Sequence, residues 1–210
     1  MRPCSCEEKH VRKRIVLTGG PGAGKTAVLE LVRQSFCQHM KVLPEAASIL
    51  FGGGFPRGAD TGERCAAQRA IYYVQRELER SADEEGRPAI VLCDRGTVDG
   101  AAYWPGAGEF WTEVGTSLDE ELARYDAVVH LRTPSAASGY DHSNPVRVES
   151  AAEAARIDER ILRAWERHPR RYVVETARDF LEKAHRAIEA LRGEVPPCCQ
   201  DHLLPREHSR

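Results

Sequence analysis

The chain has 210 residues, 41% of them hydrophobic, and sets 30 Lys and Arg against 32 Asp and Glu for a formal net charge of −2. That balance excludes a global basic field of the kind that draws nucleic acid or an acidic membrane surface, and no apolar stretch reaches the length of a membrane span. Length and hydrophobic content together suit one α/β domain with a substantial core.

Met1 to Arg14 lacks the apolar middle of a signal peptide, so a cytoplasmic location is expected, with residues 1–12 as a flexible leader. Seven cysteines, an odd number without a secretion signal, read as reduced thiols rather than a disulfide framework. Cys37, Cys65 and Cys93 fit as buried small residues. Cys4-x-Cys6 and Cys198-Cys199 would offer four thiolates to a metal if the chain ends met, but they lack a finger-like spacing, so two loose ends are expected.

The first strand, Arg14 to Thr18, feeds Gly19-Gly20-Pro21-Gly22-Ala23-Gly24-Lys25-Thr26. This is the phosphate-cradling spacing G-x-x-x-x-G-K-[ST]: glycines let successive N–H groups turn inward around an anion, Lys25 reaches β- and γ-phosphates, and Thr26 can hold Mg²⁺. A helix with Val28, Val32 and Phe36 at helical spacing follows, adding the positive end of its dipole. Lys41 to Leu43 reads as a second strand, so Glu45 falls at a strand's C-terminal end, where open α/β sheets gather ligand chemistry. Gly52 to Gly58 holds four glycines and a proline and predicts a mobile loop.

A long helix is predicted over Glu63 to Glu84 with Ala67, Ile71, Val74 and Leu78 inward. Its end, Asp83 to Arg87, reads as a solvated turn. Pro88 to Cys93 is a continuous apolar run, the mark of a strand buried on both faces, and it stops at Asp94, the position from which a carboxylate approaches Mg²⁺ beside a P-loop. Tyr103, Trp104, Phe110 and Trp111 fit either a planar-ligand pocket or a satellite of the core. Asp126 to Leu131 gives a fourth strand and Tyr172 to Val174 a fifth. Capping boxes at Ser117-x-x-Glu120 and Ser150-x-x-Glu153 start helices, the second carrying Arg156, Arg160 and Arg163. That helix and Ser135 to Pro145 read as a lid around 133–165. Arg178 to Arg192 closes the domain with Leu181, Ala184, Ile188 and Leu191 inward, and 193–210 reads as a disordered tail.

Five parallel strands alternating with helices predict a three-layer α/β P-loop sandwich over residues 13–192. The guanine-reading Asn-Lys-x-Asp of regulatory GTPases is missing, and Arg95 stands where AAA motors and hydrolases place a water-activating Glu. The P-loop, Pro44-Glu45-Ala46-Ala47, Asp94-Arg95-Gly96, Tyr140-Asp141, Asn144-Pro145-Val146-Arg147 and Trp165 to Pro169 resemble the AAA-type ATP-binding domain family. That family includes the ribosylnicotinamide kinase domain of NadR proteins and the P-loop domain of TRPL translocation defect proteins. The resemblance implies a kinase-like sheet order 2-3-1-4-5 and binding of ATP or GTP, without naming a substrate.

Phosphoryl transfer asks the protein for positioning and charge neutralisation. Lys25 and the loop amides are expected to hold the donor, Thr26 and Asp94 the Mg²⁺, and Glu45 or Asp94 to take the acceptor hydroxyl's proton. Arg147 and Arg156 are the expected clamps on the moving group. Two readings stay open: a kinase acting on a nucleoside-like or other small hydroxyl acceptor, and a nucleotide-binding module whose bound state is the output.

Overall fold

The computed structural model describes residues 6, 10–86, 88–134, 150–177 and 179–200. A single five-stranded sheet is built from β1 (Lys13–Thr18), β2 (Met40–Leu43), β3 (Ile90–Asp94), β4 (Ala127–Leu131) and β5 (Arg171–Val174), in the order β2-β3-β1-β4-β5. All four pairings are parallel, and the register sets Leu17 beside Asp94 and Thr18 beside His130. The P-loop strand therefore lies between the strands that end in Asp94 and Leu131.

Helices α1 (Lys25–Ser35) and α8 (Phe180–Arg192) cover one face, packing Val28, Leu29, Val32, Ala184, Ile188 and Leu191 on Ile15, Leu17, Leu92 and Val129. The other face, with Val16, Val91, Cys93 and Val128, receives Ala82 of α3 (Thr61–Glu85) and Ile157, Ile161 and Trp165 of and just beyond α7 (Ala151–Ala164). Neighbouring residues of a strand serve opposite layers, and cover on both faces explains why β3 and β4 read as unbroken apolar runs. The short helices α2 (Ala46–Gly52), α4 (Asp99–Tyr103), α5 (Phe110–Val114) and α6 (Leu118–Leu122) fill the connections. Both bonds of the Ser117–Glu120 capping box form, whereas Ser150 accepts from the Glu153 amide alone. No helix among the described residues is long and apolar enough to cross a membrane.

Three expectations are corrected. The deepest face of α3 carries Cys65, Ala67, Tyr72, Gln75, Glu79 and Ala82; Ala67 and Leu78 turn inward as expected, whereas Ile71 and Val74 are only half-buried. Glu79 can be buried because Arg124 and Arg14 neutralise it and Tyr125 donates to it at 2.7 Å. Leu181 of α8 is 75% exposed, and Ala187 takes the inward place. The ends are not loose throughout. Arg12 donates to Asp83 and to the Pro88 carbonyl, so Asp83 is more than a solvated turn. After Gly193 the chain packs Glu194, Val195 and Cys199 against the domain and forms α9 (Pro197–Gln200). Glu194 is held by Lys13 at 3.0 Å, Arg170 at 2.8 Å and Tyr172 at 2.8 Å.

Candidate phosphoryl-transfer site

The loop between β1 and α1 wraps back on itself at the C-terminal edge of the sheet. Gly19 has φ 141°, and a Cβ there would lie 2.1 Å from the Leu131 carbonyl oxygen. A Cβ on Gly20 would meet Thr133 Oγ1 at 2.5 Å and Asp158 Cβ at 2.7 Å. Only glycine lets the loop pass this close to β4 and α7. Gly22 and Gly24 also take positive φ, at 77° and 93°, turning the loop into the first turn of α1. Pro21 lines the cavity described below, buried Ala23 is anchored through its carbonyl by Lys183 at 2.8 Å, and Thr26 stands exposed on the first helical turn.

Lys25 Nζ donates to the Gly19 and Gly20 carbonyls at 3.1 and 3.4 Å, lying along the loop it serves. Burial, aided by the positive charge of Arg95, lowers its pKa to about 8, against the pull of Asp94, Glu45 and Asp99. Asp94 ends β3, and burial, with Glu45 and Asp99 nearby, pushes its pKa up to about 6 despite Lys25 and Arg95. Its Oδ1 is buried with no hydrogen-bond partner among the described residues. A buried carboxylate oxygen at the end of the strand beside the P-loop strand, with the Thr26 hydroxyl on the first turn of α1, supplies hard oxygen donors, and these residues fit Mg²⁺.

Glu45 sits just before α2, where its Oε2 accepts from Ser48 Oγ at 2.5 Å and its Oε1 from Arg95 Nε at 2.6 Å. Burial alone would raise this carboxyl, but Arg95, Ser48 and Lys25 hold it down at about 2. Arg95 is held in turn: burial is outweighed by Tyr103, Glu45 and Asp99, and its pKa is raised. Arg95 has φ 70°, the left-handed region that side chains avoid, and its Nη1 reaches the Gly19 carbonyl at 3.2 Å. Strain of about 1–3 kcal/mol persists only where surroundings fix it, and such positions gather at functional sites. Sequence reading treated Arg95 as a missing glutamate; the structure makes it a link between Glu45 and the P-loop.

Beside this cluster opens a cavity of about 450 Å³, lined by Glu45, Phe51, Gln68, Tyr72, Gln75, Arg95 and Tyr103 among others. That volume is in the range of small-molecule sites, and aromatic walls with a few amides suit a planar polar ligand. The aromatic group divides between its two readings. Tyr103 lines the cavity, with the Arg95 guanidinium 5.5 Å from its ring centroid, while Trp104, Phe110 and Trp111 pack as a satellite around Tyr72. The glycine-rich segment contributes Pro56, Arg57 and Gly58 to the rim, with Arg57 4.3 Å above the Phe51 ring.

Of the expected clamps, Arg147 lies outside the described residues, as do Tyr140, Asp141, Asn144 and the Ser135 to Pro145 lid segment. Arg156 is exposed and lines a separate groove with Arg64, Arg160 and Arg163. Arg64 borders both that groove and the cavity. Three residues that sequence reading missed brace the centre. Asp158 of α7 accepts from the Gly20 amide at 2.9 Å and pairs with His130 Nε2 and Arg132 Nη1, each at 3.0 Å. Asp99 holds the turn after Asp94 by accepting from Thr18 Oγ1 at 2.5 Å, the Gly96 amide at 2.9 Å and Trp165 Nε1 at 3.2 Å. Lys183, its pKa lowered to about 8 by burial, joins α8 to the P-loop.

Solved structures share this fold. A thymidylate kinase from Candida albicans superposes with TM-score 0.62 at 13% identity, over 94% of this chain and 96% of that one. A deoxyadenosine kinase from M. mycoides, solved with bound dATP, gives 0.58 at 12% identity, over 86% and 99%. A NadR protein solved in complex with NR gives 0.70 at 15% identity, over 95% of this chain but 55% of that one. At such identities the likeness is one of fold. No curated protein sequence matches the chain. Residues 14–183, by contrast, match the AAA domain family AAA_28. The chain belongs to that family, with the P-loop kinase fold.

Proposed function

We propose that the chain is a small-molecule kinase that transfers the γ-phosphoryl group of ATP, or of GTP, to a hydroxyl of a nucleoside-like acceptor. The observation that carries this reading is the cavity of about 450 Å³ whose wall includes Glu45 and Arg95, set directly against the P-loop. A hydrolase needs only water beside the γ-phosphate, whereas this site offers room and shape for a second substrate. The solved structures of nucleoside and nucleotide kinase fold support the same reading.

In this account the P-loop amides and Lys25 hold the donor's phosphates. Thr26 and Asp94 hold Mg²⁺, which when bound neutralises phosphate charge. Glu45, ionised across the physiological range, accepts a hydrogen bond from the acceptor hydroxyl and orients it. A carboxyl held at about 2 is a weak base, but a loose phosphoryl-transfer transition state needs orientation more than proton abstraction. Arg95 holds Glu45 and presents charge beside the P-loop. Arg64 lines the cavity and can bring charge to a transferred group, while Arg156, in the neighbouring groove with Glu153 and Glu159, and Arg147 keep their proposed clamp roles. The aromatic walls at Phe51, Tyr72 and Tyr103 and the amides of Gln68 and Gln75 would select a flat, hydrogen-bonding acceptor.

The test is an ATP- and GTP-consumption screen with Mg²⁺ against nucleosides, nucleoside monophosphates, sugars and vitamins. Consumption that depends on one acceptor class is expected; nucleotide loss identical with and without every acceptor would overturn the reading.

A further inference from the structure

The chain ends meet at the edge of the sheet opposite the P-loop. Cys37 and His39 immediately precede β2, so they lie at the N-terminal ends of the strands, whereas the P-loop follows a C-terminal end. Cys199 of α9 packs on them: Cys37 Sγ is 3.4 Å from Cys199 Sγ, His39 Nδ1 is 3.1 Å from Cys199 Sγ, and Cys37 Sγ is 3.6 Å from His39 Nδ1. Cys198 Sγ lies 3.6 Å from Cys199 Sγ and 4.0 Å from His39 Nδ1. Outside this group, His10 Nε2 sits 3.2 Å from Cys198 Sγ and 3.5 Å from Cys6 Sγ. Three segments far apart in sequence thus bring two adjoining triads together, Cys37, His39 and Cys199 buried and Cys6, His10 and Cys198 outside them, bridged by the contacts of Cys198 with Cys199 and His39.

The separations have a geometric meaning. Four ligands arranged tetrahedrally around zinc, with Zn–S near 2.3 Å and Zn–N near 2.05 Å, stand about 3.8 Å apart for two sulfurs and about 3.6 Å for sulfur and nitrogen. Five of the six ligand pairs among Cys37, His39, Cys198 and Cys199 stand 3.1 to 4.0 Å apart. Burial matches a closed structural site: Cys37 is 2% exposed, Cys199 3% and His39 8%, behind Phe36, Met40, Ile90 and Val195. A four-residue helix such as α9 has no independent stability. A shared ion would explain why it docks at this spot.

We propose that Cys37, His39, Cys198 and Cys199 form a Cys₃His structural zinc site, with Cys6 and His10 closing over Cys198 from outside. The site fastens both ends of the domain to the start of β2, the strand that leads into Glu45. Zinc binding releases the thiol protons to solvent and involves no change of oxidation state. A disulfide between Cys37 and Cys199 would account for two sulfurs but not for the approach of His39 Nδ1 and Cys198 Sγ to Cys199 Sγ at 3.1 and 3.6 Å.

The test is elemental analysis of the chain purified under reducing conditions from zinc-supplemented medium. Roughly one zinc or more per chain is expected, replaceable by cobalt with the thiolate charge-transfer and intense visible bands of a tetrahedral site. Cys37→Ser and Cys198→Ser should each weaken zinc binding by about 10-fold or more, judged by competition with a chromophoric chelator. Cys198 is only partly buried, so its variant stays readable if Cys37→Ser fails to fold, and Cys65→Ala, outside the cluster, should keep its metal. Metal-free protein that takes up neither ion, metal retained at full affinity by both serine variants, or a Cys37–Cys199 disulfide found in its place by non-reducing mass spectrometry would each overturn the proposal.

Discussion

Arg95 Nε donates to Glu45 Oε1 across 2.6 Å, so the residue that follows buried strand β3 is locked to a residue two positions beyond edge strand β2. The pair spans the wall between the P-loop and the cavity, because Arg95 also reaches the Gly19 carbonyl. Two strand ends and a phosphate loop are thereby held as one unit, and the two strand-end carboxylates are driven apart. Glu45 is held at about 2, while Asp94, one residue before Arg95 and lacking a partner for Oδ1, rises to about 6.

That divergence predicts a division of labour. Asp94→Asn should weaken Mg-dependent nucleotide binding and turnover together. Glu45→Gln should leave Mg-ATP affinity nearly unchanged and lower turnover by about 10²-fold or more. Calorimetry with steady-state kinetics on the identified acceptor separates the two; a Glu45→Gln enzyme of full turnover would remove Glu45 from the chemistry.

Lys25→Ala should cost about 2–4 kcal/mol of Mg-ATP binding while circular dichroism and thermal unfolding stay close to the parent. Among the described residues the ammonium hydrogen-bonds to the Gly19 and Gly20 carbonyls of the loop and to no core group, so its loss leaves the core intact. Parent-like affinity in the variant would mean that the loop does not cradle phosphate.

Nucleotide affinity should peak between the two perturbed groups. The ammonium of Lys25 favours phosphate, and its charge is lost as pH rises through about 8. The carboxylate of Asp94 favours Mg²⁺, and it is protonated as pH falls through about 6. Binding should therefore take up a proton at the alkaline end and release one at the acid end, visible as enthalpies that track the buffer's ionisation heat. A flat affinity from about pH 5.5 to about pH 9 would contradict this.

Asp158→Ala should destabilise the fold by about 3 kcal/mol in denaturant unfolding, since it strands the Gly20 amide, His130 and Arg132 at once. Burial opposes ionisation of Asp158, but His130, the Gly20 amide and Arg132 outweigh it and lower its pKa. The sign follows: its contribution is complete above the ordinary carboxylate pKa of about 4 and is lost as pH falls below that. A variant as stable as the parent at neutral pH would show that α7 does not brace the loop.

Much of the fold was legible because it rests on local signals. The glycine spacing, Lys25 and Thr26 are contiguous, and Asp94 ends an apolar run that only two-sided burial explains. The bracing groups were hidden because their meaning comes from register. Asp158 reads as one acid in a charged helix until β4 brings His130 and Arg132 to it, and Arg95 reads as a substitution until Glu45 is placed beside it. The polar part of the buried face of α3 was hidden for the same reason: periodicity scores apolar residues, and Glu79 enters the core through partners on β1 and after α6. The grouping of Cys199 with Cys37 and His39, and of Cys198 with Cys6 and His10, was hidden because it joins segments far apart in sequence.

The central claim is transfer to an acceptor rather than release to water. Its most direct measurement is to incubate the chain with Mg-ATP isotopically labelled in the γ-phosphoryl group and the acceptor selected by the screen, and to follow the label by mass spectrometry. The account predicts label in a phosphate monoester of the acceptor for the parent chain and its loss with Lys25→Ala. Label found only in inorganic phosphate, with the acceptor unchanged, would contradict it.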